Sequence, residues 1–213
     1  MYKNYINGNS NTIYFLGRRG VGKSSLLNAL LGKGFNENIT SSDLGISTTL
    51  YKINDREIII KVITDDDNFS NTKILKNQLE EIRLVVIIFA IDDKDSLEYA
   101  KSLISFIKNN ITYNLGIQII LFGNKYDSKK IDDTKIKINQ VEAENYAANI
   151  DNCSFYELSC KTGLNIDIIE KLLGEINDNN SSYSSKLFER DDVINEESGR
   201  MKNNKESYSC NIF

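Results

Sequence analysis

The sequence contains no histidine, no proline and no tryptophan, and only three cysteines. Without histidine the chain lacks the commonest general base and the commonest imidazole metal ligand, so any catalysis rests on other groups. Cys153, Cys160 and Cys210 are widely spaced and form no Cys-x-x-Cys pair. That argues against a disulfide framework and for a reducing compartment. An excess of positive charge is missing too. The net charge of -4 gives no footprint for nucleic acid, and no nucleic-acid partner is expected. The first residues (MYKNYINGNSN) offer neither the apolar stretch of a signal peptide nor the Met-Gly start of a myristoylated chain. The apolar run through Val85 to Ile91 is too short to span a bilayer. The expected setting is the cytosol, unless a membrane anchor is added to the chain.

What is present is enough for one α/β domain. At 213 residues, with 40% hydrophobic and 26% charged, the composition suits a soluble core followed by a tail. Ile13–Leu16, Leu84–Ile91, Ile117–Phe122 and Ser154–Leu158 read as strands. The middle two are apolar on both faces, as central strands of a covered parallel sheet are. Thr48–Ile53 and Glu57–Ile63 alternate more and predict a hairpin at a sheet edge. Helical periodicity predicts Ser24–Leu31, Ser96–Ile111, Gln140–Ala148 and Ile166–Ile176. Strand–helix alternation of this kind implies right-handed crossovers. Beyond about Asn177 the chain is rich in Asn, Ser and mixed charge, with few large apolar residues. It cannot bury enough surface to offset ordering entropy, and disorder is expected.

Three motifs carry chemistry. Gly17-Arg18-Arg19-Gly20-Val21-Gly22-Lys23-Ser24 fits Gly-x-x-x-x-Gly-Lys-Ser/Thr, lying between a predicted strand and a predicted helix. Glycine allows backbone N–H groups close to phosphate, the helix N-terminus adds partial positive charge, Lys23 supplies a cation and the Ser24 hydroxyl suits Mg²⁺. Gly20, Val21, Gly22, Lys23, Ser24 and Ser25 are therefore candidate nucleotide-binding residues. Asn124-Lys125-Tyr126-Asp127 follows a strand directly. A carboxylate such as that of Asp127 can accept both the ring N1–H and the exocyclic amine of guanine, whereas adenine presents the reverse donor pattern. Ser159-Cys160-Lys161-Thr162-Gly163 follows the last strand and resembles the Ser-Ala-Lys element that closes over guanine O6 in GTP-binding proteins, with Cys160 in place of the usual alanine. That resemblance makes the Cys160 backbone N–H the candidate donor to O6.

Together these motifs resemble the Ras superfamily, most closely its Rab branch, over residues 12–176. The stretches IFAIDDKDSLEYAKSLISFI and EAENYAANIDNCSFYELSCKTGLNI add to the likeness. The resemblance implies a P-loop NTPase fold, α/β, with a six-stranded, mostly parallel sheet and helices on both faces. It implies GTP or GDP with Mg²⁺ as bound groups, effector and regulator proteins as partners, and Phe35 stacked on the guanine edge. Asn124, Lys125, Asp127, Ser159, Cys160 and Lys161 would then enclose the base.

The switch segments depart from the family pattern. The threonine that binds Mg²⁺ in the first switch falls on Ser42 or Ser41 by counting, with Thr40 the nearest threonine. In place of Asp-x-x-Gly-Gln stands Thr64-Asp65-Asp66-Asp67-Asn68-Phe69. Asp65 can still hold magnesium through water. The γ-phosphate-sensing glycine becomes Asp67 or Asn68, and the water-orienting glutamine becomes Asn68 or Phe69, leaving Asn68 as the candidate catalytic residue. A carboxylate about 4 Å from a phosphate oxygen costs about 4 kcal/mol at an effective dielectric near 20. Arg19 stands where many relatives carry a small residue. The expectation is tight binding with slow hydrolysis. A nucleotide-locked adaptor that binds without switching is the alternative.

The last four residues, Cys210-Asn211-Ile212-Phe213, fit the C-a-a-X prenylation pattern, and a terminal Phe favours geranylgeranyl. Residues 177–213 are thus read as a hypervariable tail ending in a lipid site. The basic residues Arg200, Lys202 and Lys205 are interrupted by Glu206, a poor polybasic patch. One lipid chain gives reversible binding, so cycling on and off the cytosolic face of a membrane is expected.

Overall fold

Leu84–Ala90, LVVIIFA, is apolar at every position and becomes β4, near the middle of a six-stranded sheet. A computed structural model describes residues 12–37, 45–53, 56–64, 82, 84–110, 117–131 and 138–175. The strands are β1 (Thr12–Leu16), β2 (Gly45–Ile53), β3 (Arg56–Thr64), β4, β5 (Gln118–Asn124) and β6 (Cys153–Glu157). Their order across the sheet is β2-β3-β1-β4-β5-β6. Only the β2–β3 pair is antiparallel; the neighbours β3–β1, β1–β4, β4–β5 and β5–β6 are all parallel. The sheet expected from the resemblance is the one observed.

The helices are α1 (Lys23–Leu30), α2 (Lys94–Asn110), α3 (Asp127–Ile131), α4 (Gln140–Ala148) and α5 (Ile166–Glu175). Side chains alternate across β4, so each face receives a different half of it. Leu84, Val86, Ile88 and Ala90 pack with Leu26, Leu27 and Leu30 of α1 and Ile166, Ile169 and Leu173 of α5. Val85, Ile87 and Phe89 pack with Leu97, Ala100, Leu103, Ile104 and Ile107 of α2 and Ala143 of α4. Full burial of each large apolar side chain contributes about 1.5–3 kcal/mol. An alternating strand would have left one of these helix layers without a surface to cover.

Boundaries differ from the sequence reading where local hydrogen bonds decide them. β2 begins at Gly45 rather than Thr48, because antiparallel pairing runs through to Gly45↔Thr64. α2 begins at Lys94 rather than Ser96. Asp93 caps it, its side chain accepting from the Asp95 N–H at 3.1 Å. Ser96 is instead buried and faces the end of β4, accepting from the Ala90 N–H at 2.9 Å and donating to the Asp93 carbonyl at 2.6 Å. The five-residue α3 was not anticipated; it starts on Asp127, inside a motif read as a strand-end loop. No helix among the described residues is long and apolar enough to cross a membrane. Residues 177–213, expected to be a disordered tail, lie outside the described residues.

Candidate nucleotide site

The parallel strands β1, β4 and β5 all end on one edge of the sheet, and the three motifs lie just beyond it. The first turn after β1 is shaped by glycine. Gly17 has φ 145°, and a Cβ there would sit 2.2 Å from the Ile88 carbonyl oxygen. Gly22, with φ 101°, is the N-cap of α1, and a Cβ on it would lie 2.1 Å from Asn124 Nδ2. No side chain among the described residues caps α1. Its N-terminus therefore leaves the usual orphan amides of a helix start to other acceptors. Lys23, only 5% exposed, folds back over the loop, its Nζ donating to the Gly17 and Arg18 carbonyls at 2.7 and 2.9 Å. Val21 is buried, Gly20 opens onto free space, and Ser24 and Ser25 are half-buried on the first turn.

Asn124 joins this loop to the other two motifs. It is 3% exposed; its Nδ2 donates to the Val21 carbonyl at 2.8 Å, and its Oδ1 accepts from the Cys160 N–H at 3.2 Å. The sequence reading reserved that Cys160 N–H for guanine O6. The structure has it donating to Asn124, so a base there would have to share it. Burial pushes the Cys160 thiol up to about 12, which keeps it protonated at neutral pH. Cys160 therefore acts through its backbone and its bulk, not as a thiolate.

Beside it, Asp127 is fixed before any ligand is considered. Its Oδ1 accepts from Ser159 Oγ at 2.6 Å, and the same Oγ accepts from the Thr162 N–H at 3.2 Å. The Tyr126 N–H donates to the Leu158 carbonyl at 3.1 Å, stitching the α3 start to the end of β6. Lys125 adopts φ 70°, a left-handed conformation that costs a non-glycine residue about 1–2 kcal/mol. Its Nζ pairs with both carboxylate oxygens of Asp92, at 3.2 and 3.3 Å. Lys129 of α3 pairs with Glu157 and lies over the Tyr126 ring. Sequence patterns gave no signal for Asp92, Lys129 or Glu157, because each acts across elements distant along the chain.

At the rim, Phe35 is 40% exposed, with Lys161 Nζ 5.9 Å from its ring centre. Lys161 also donates to Glu37 Oε1 at 2.6 Å, a partner the motifs did not reveal. The hydrogen bond from Lys161 holds the Glu37 carboxyl below its ordinary range, and the same bond raises the Lys161 ammonium. The Glu37 contribution is present above the ordinary carboxylate range and fades as pH falls through its lowered value. The Lys161 contribution fades as pH rises through its raised value. Across neutral pH both partners stay charged.

These donors fit a nucleoside phosphate. There is a helix N-terminus with a buried lysine at one end, and at the other an oriented Asp127 carboxylate whose charge reaches the Lys161 ammonium that lies over the Phe35 ring. Among the described residues no group of three or more His, Cys, Asp or Glu can hold a metal. Mg²⁺ takes one or two protein oxygens plus phosphates and waters and needs no such cluster. Ser24 is the described candidate. Thr40, Ser41, Ser42, Asp65, Asn68 and Cys210 lie outside the described residues.

Replacing Asn124 with Ala removes both of its buried hydrogen bonds. The expected outcome is a loss of about 1–3 kcal/mol of stability, read from urea unfolding. An unchanged midpoint would show that the Asn124 bridge does not hold the loops.

Comparison with curated proteins gives no match. The sequence model of the Ras family matches residues 12–178, most of the length of the chain. On that match, and with the sheet it accompanies, the chain belongs to the Ras family of small GTPases.

Proposed function

We propose that this chain is a Rab-like guanine-nucleotide switch acting in membrane trafficking or signalling. The observation that carries the reading is the Asn124 bridge, which draws the phosphate-type loop and the two base-reading motifs onto one strand edge. In this reading the α1 amides of Gly22 to Ser25 and the Lys23 ammonium hold the phosphates, once Lys23 turns from its carbonyl partners. Ser24 supplies the oxygen for Mg²⁺, which neutralises developing phosphate charge when bound. Thr40, Ser42 and Asp65 are the further metal candidates. Asp127, oriented by Ser159, reads guanine; Phe35 and the Lys161 stem flank it, and Asn124, Lys125 and Cys160 shape its pocket. Effector and regulator proteins would recognise the nucleotide-dependent switch segments.

Asp127→Ala tests base recognition. Removing a charged acceptor of two hydrogen bonds should weaken GDP binding by roughly 10²-fold or more in calorimetric titration. The wild type should bind GDP and GTP and ignore ATP. A preference for ATP would end the reading.

Hydrolysis should be slow. The TDDDNF segment lacks the water-orienting glutamine, leaving Asn68 as the weak substitute. The exposed Arg19 stands at the phosphate loop, where its long side chain would crowd an incoming arginine finger. Single-turnover cleavage of bound GTP is expected to be slower than in glutamine-containing relatives, and a matching rate would refute the impairment. The adaptor alternative rests on the same segment. It would bind partners equally with either nucleotide, whereas a switch would not.

The Cys210-Asn211-Ile212-Phe213 pattern supports a prenyl group on Cys210, which would hold the chain reversibly on the cytosolic face of a membrane. Cys210→Ser should move the protein from the membrane fraction of lysed cells to the soluble one. Unchanged partitioning would remove the anchor.

A further inference from the structure

Residues 32–37, which connect α1 to the first switch, are exposed at every position. Apolar burial therefore does not fix this segment, and Gly34 with φ 71° adds no side chain to it. Yet it carries Phe35, the ring assigned above to the guanine edge. Two residues on, Glu37 reaches a side chain 124 positions away, accepting from Lys161 Nζ at 2.6 Å. Lys161 is also within cation–π range of the Phe35 ring and feels the charge of Asp127. Three groups thus converge on one ammonium: the Glu37 carboxylate, the Phe35 face and the more distant Asp127. The first two belong to the segment after α1, and Lys161 belongs to the loop after β6.

We propose that Glu37 is a positioning residue of the nucleotide site: paired with Lys161, it clasps the Phe35 segment to the β6–α5 loop and slows release of the bound nucleotide. This rests on the guanine reading given above. The base, lying between Phe35 and the loop that carries Lys161, leaves when those two parts separate, and separation breaks the ion pair. No covalent step is involved. Because both partners are exposed, with side-chain exposures of 46% for Lys161 and 70% for Glu37, the clasp is weak and salt-sensitive. Such a contact tunes a dissociation rate without deciding whether the nucleotide binds at all.

The test uses the full chain loaded with N-methylanthraniloyl-GDP in Mg²⁺ and chased with excess unlabelled GDP. At about 0.05 M salt, Glu37→Gln should speed release roughly two- to fivefold, and Glu37→Lys, which adds repulsion, should speed it further. At about 1 M salt, where the Debye length falls to about 3 Å, the wild-type and Glu37→Gln rates should converge. An unchanged Glu37→Gln rate at low salt overturns the clasp. So does an acceleration that persists undiminished at high salt, since that marks a packing role and not an ion pair. Thermal unfolding of each variant without added nucleotide identifies any that fold poorly, and Glu37→Gln, on an exposed side chain, should unfold with the wild type. If the wild type retains no fluorescent GDP, the guanine reading fails and the clasp falls with it. Retention by the wild type with equal release from Glu37→Gln rejects the clasp alone.

Discussion

The carboxamide of Asn124 is the constraint on which the site depends. It is the last residue of β5, buried, and its two ends satisfy the Val21 carbonyl and the Cys160 N–H. A carboxamide presents a donor and an acceptor on opposite sides of one planar group, so it can hold two loops at a fixed separation. An aspartate would repel the carbonyl, and an aliphatic residue would leave both backbone groups without this partner. Gly22 completes the arrangement, because a Cβ would collide with Asn124 Nδ2. The glycine of one motif and the asparagine of another are thus a single packing requirement.

Around that bridge the site is built in two tiers. The inner tier is buried and follows from the sheet: Lys23, Asn124 and Ser159 are all at most 5% exposed. Ser159 fixes the Asp127 carboxylate, and the Gly17 and Arg18 carbonyls hold the Lys23 ammonium, so both charged groups have partners that limit their motion. The outer tier is exposed and held by charge: Lys125 with Asp92, and Lys161 with Glu37 and Phe35. Buried polar contacts specify geometry at high cost if broken, while exposed pairs are screened and readily exchanged. In the proposed switch the buried floor would select the nucleotide and the exposed rim would let it leave.

Much of the fold was legible before any coordinates. β4 was read as a two-faced central strand because all seven of its residues are apolar, and the structure covers both faces. Helix α4 was placed with the right bounds from its periodicity, and its Asn139 cap explains the start. The beginning of α2 was placed two residues late because apolar periodicity starts only at Leu97, while the capping contact comes from Asp93 and Ser96 turns inward to Ala90. The short α3 was missed because five residues are too few to show a period.

The sequence by itself determined the chemistry available: a Lys23 next to glycines, an Asp127 three residues after Asn124, a Cys160 directly after Ser159. These are local patterns, and local spacing is what a linear chain displays. Only the tertiary structure decided which groups answer them. Asp92 opposite Lys125, Glu157 opposite Lys129 and Glu37 opposite Lys161 are 33, 28 and 124 positions from their partners. Such pairs leave no periodic trace, because they form when parallel strands bring distant segments to one edge. The Cys160 N–H shows the same limit. Its position in the motif was readable, but its engagement by Asn124 follows from the register of β5 against β6.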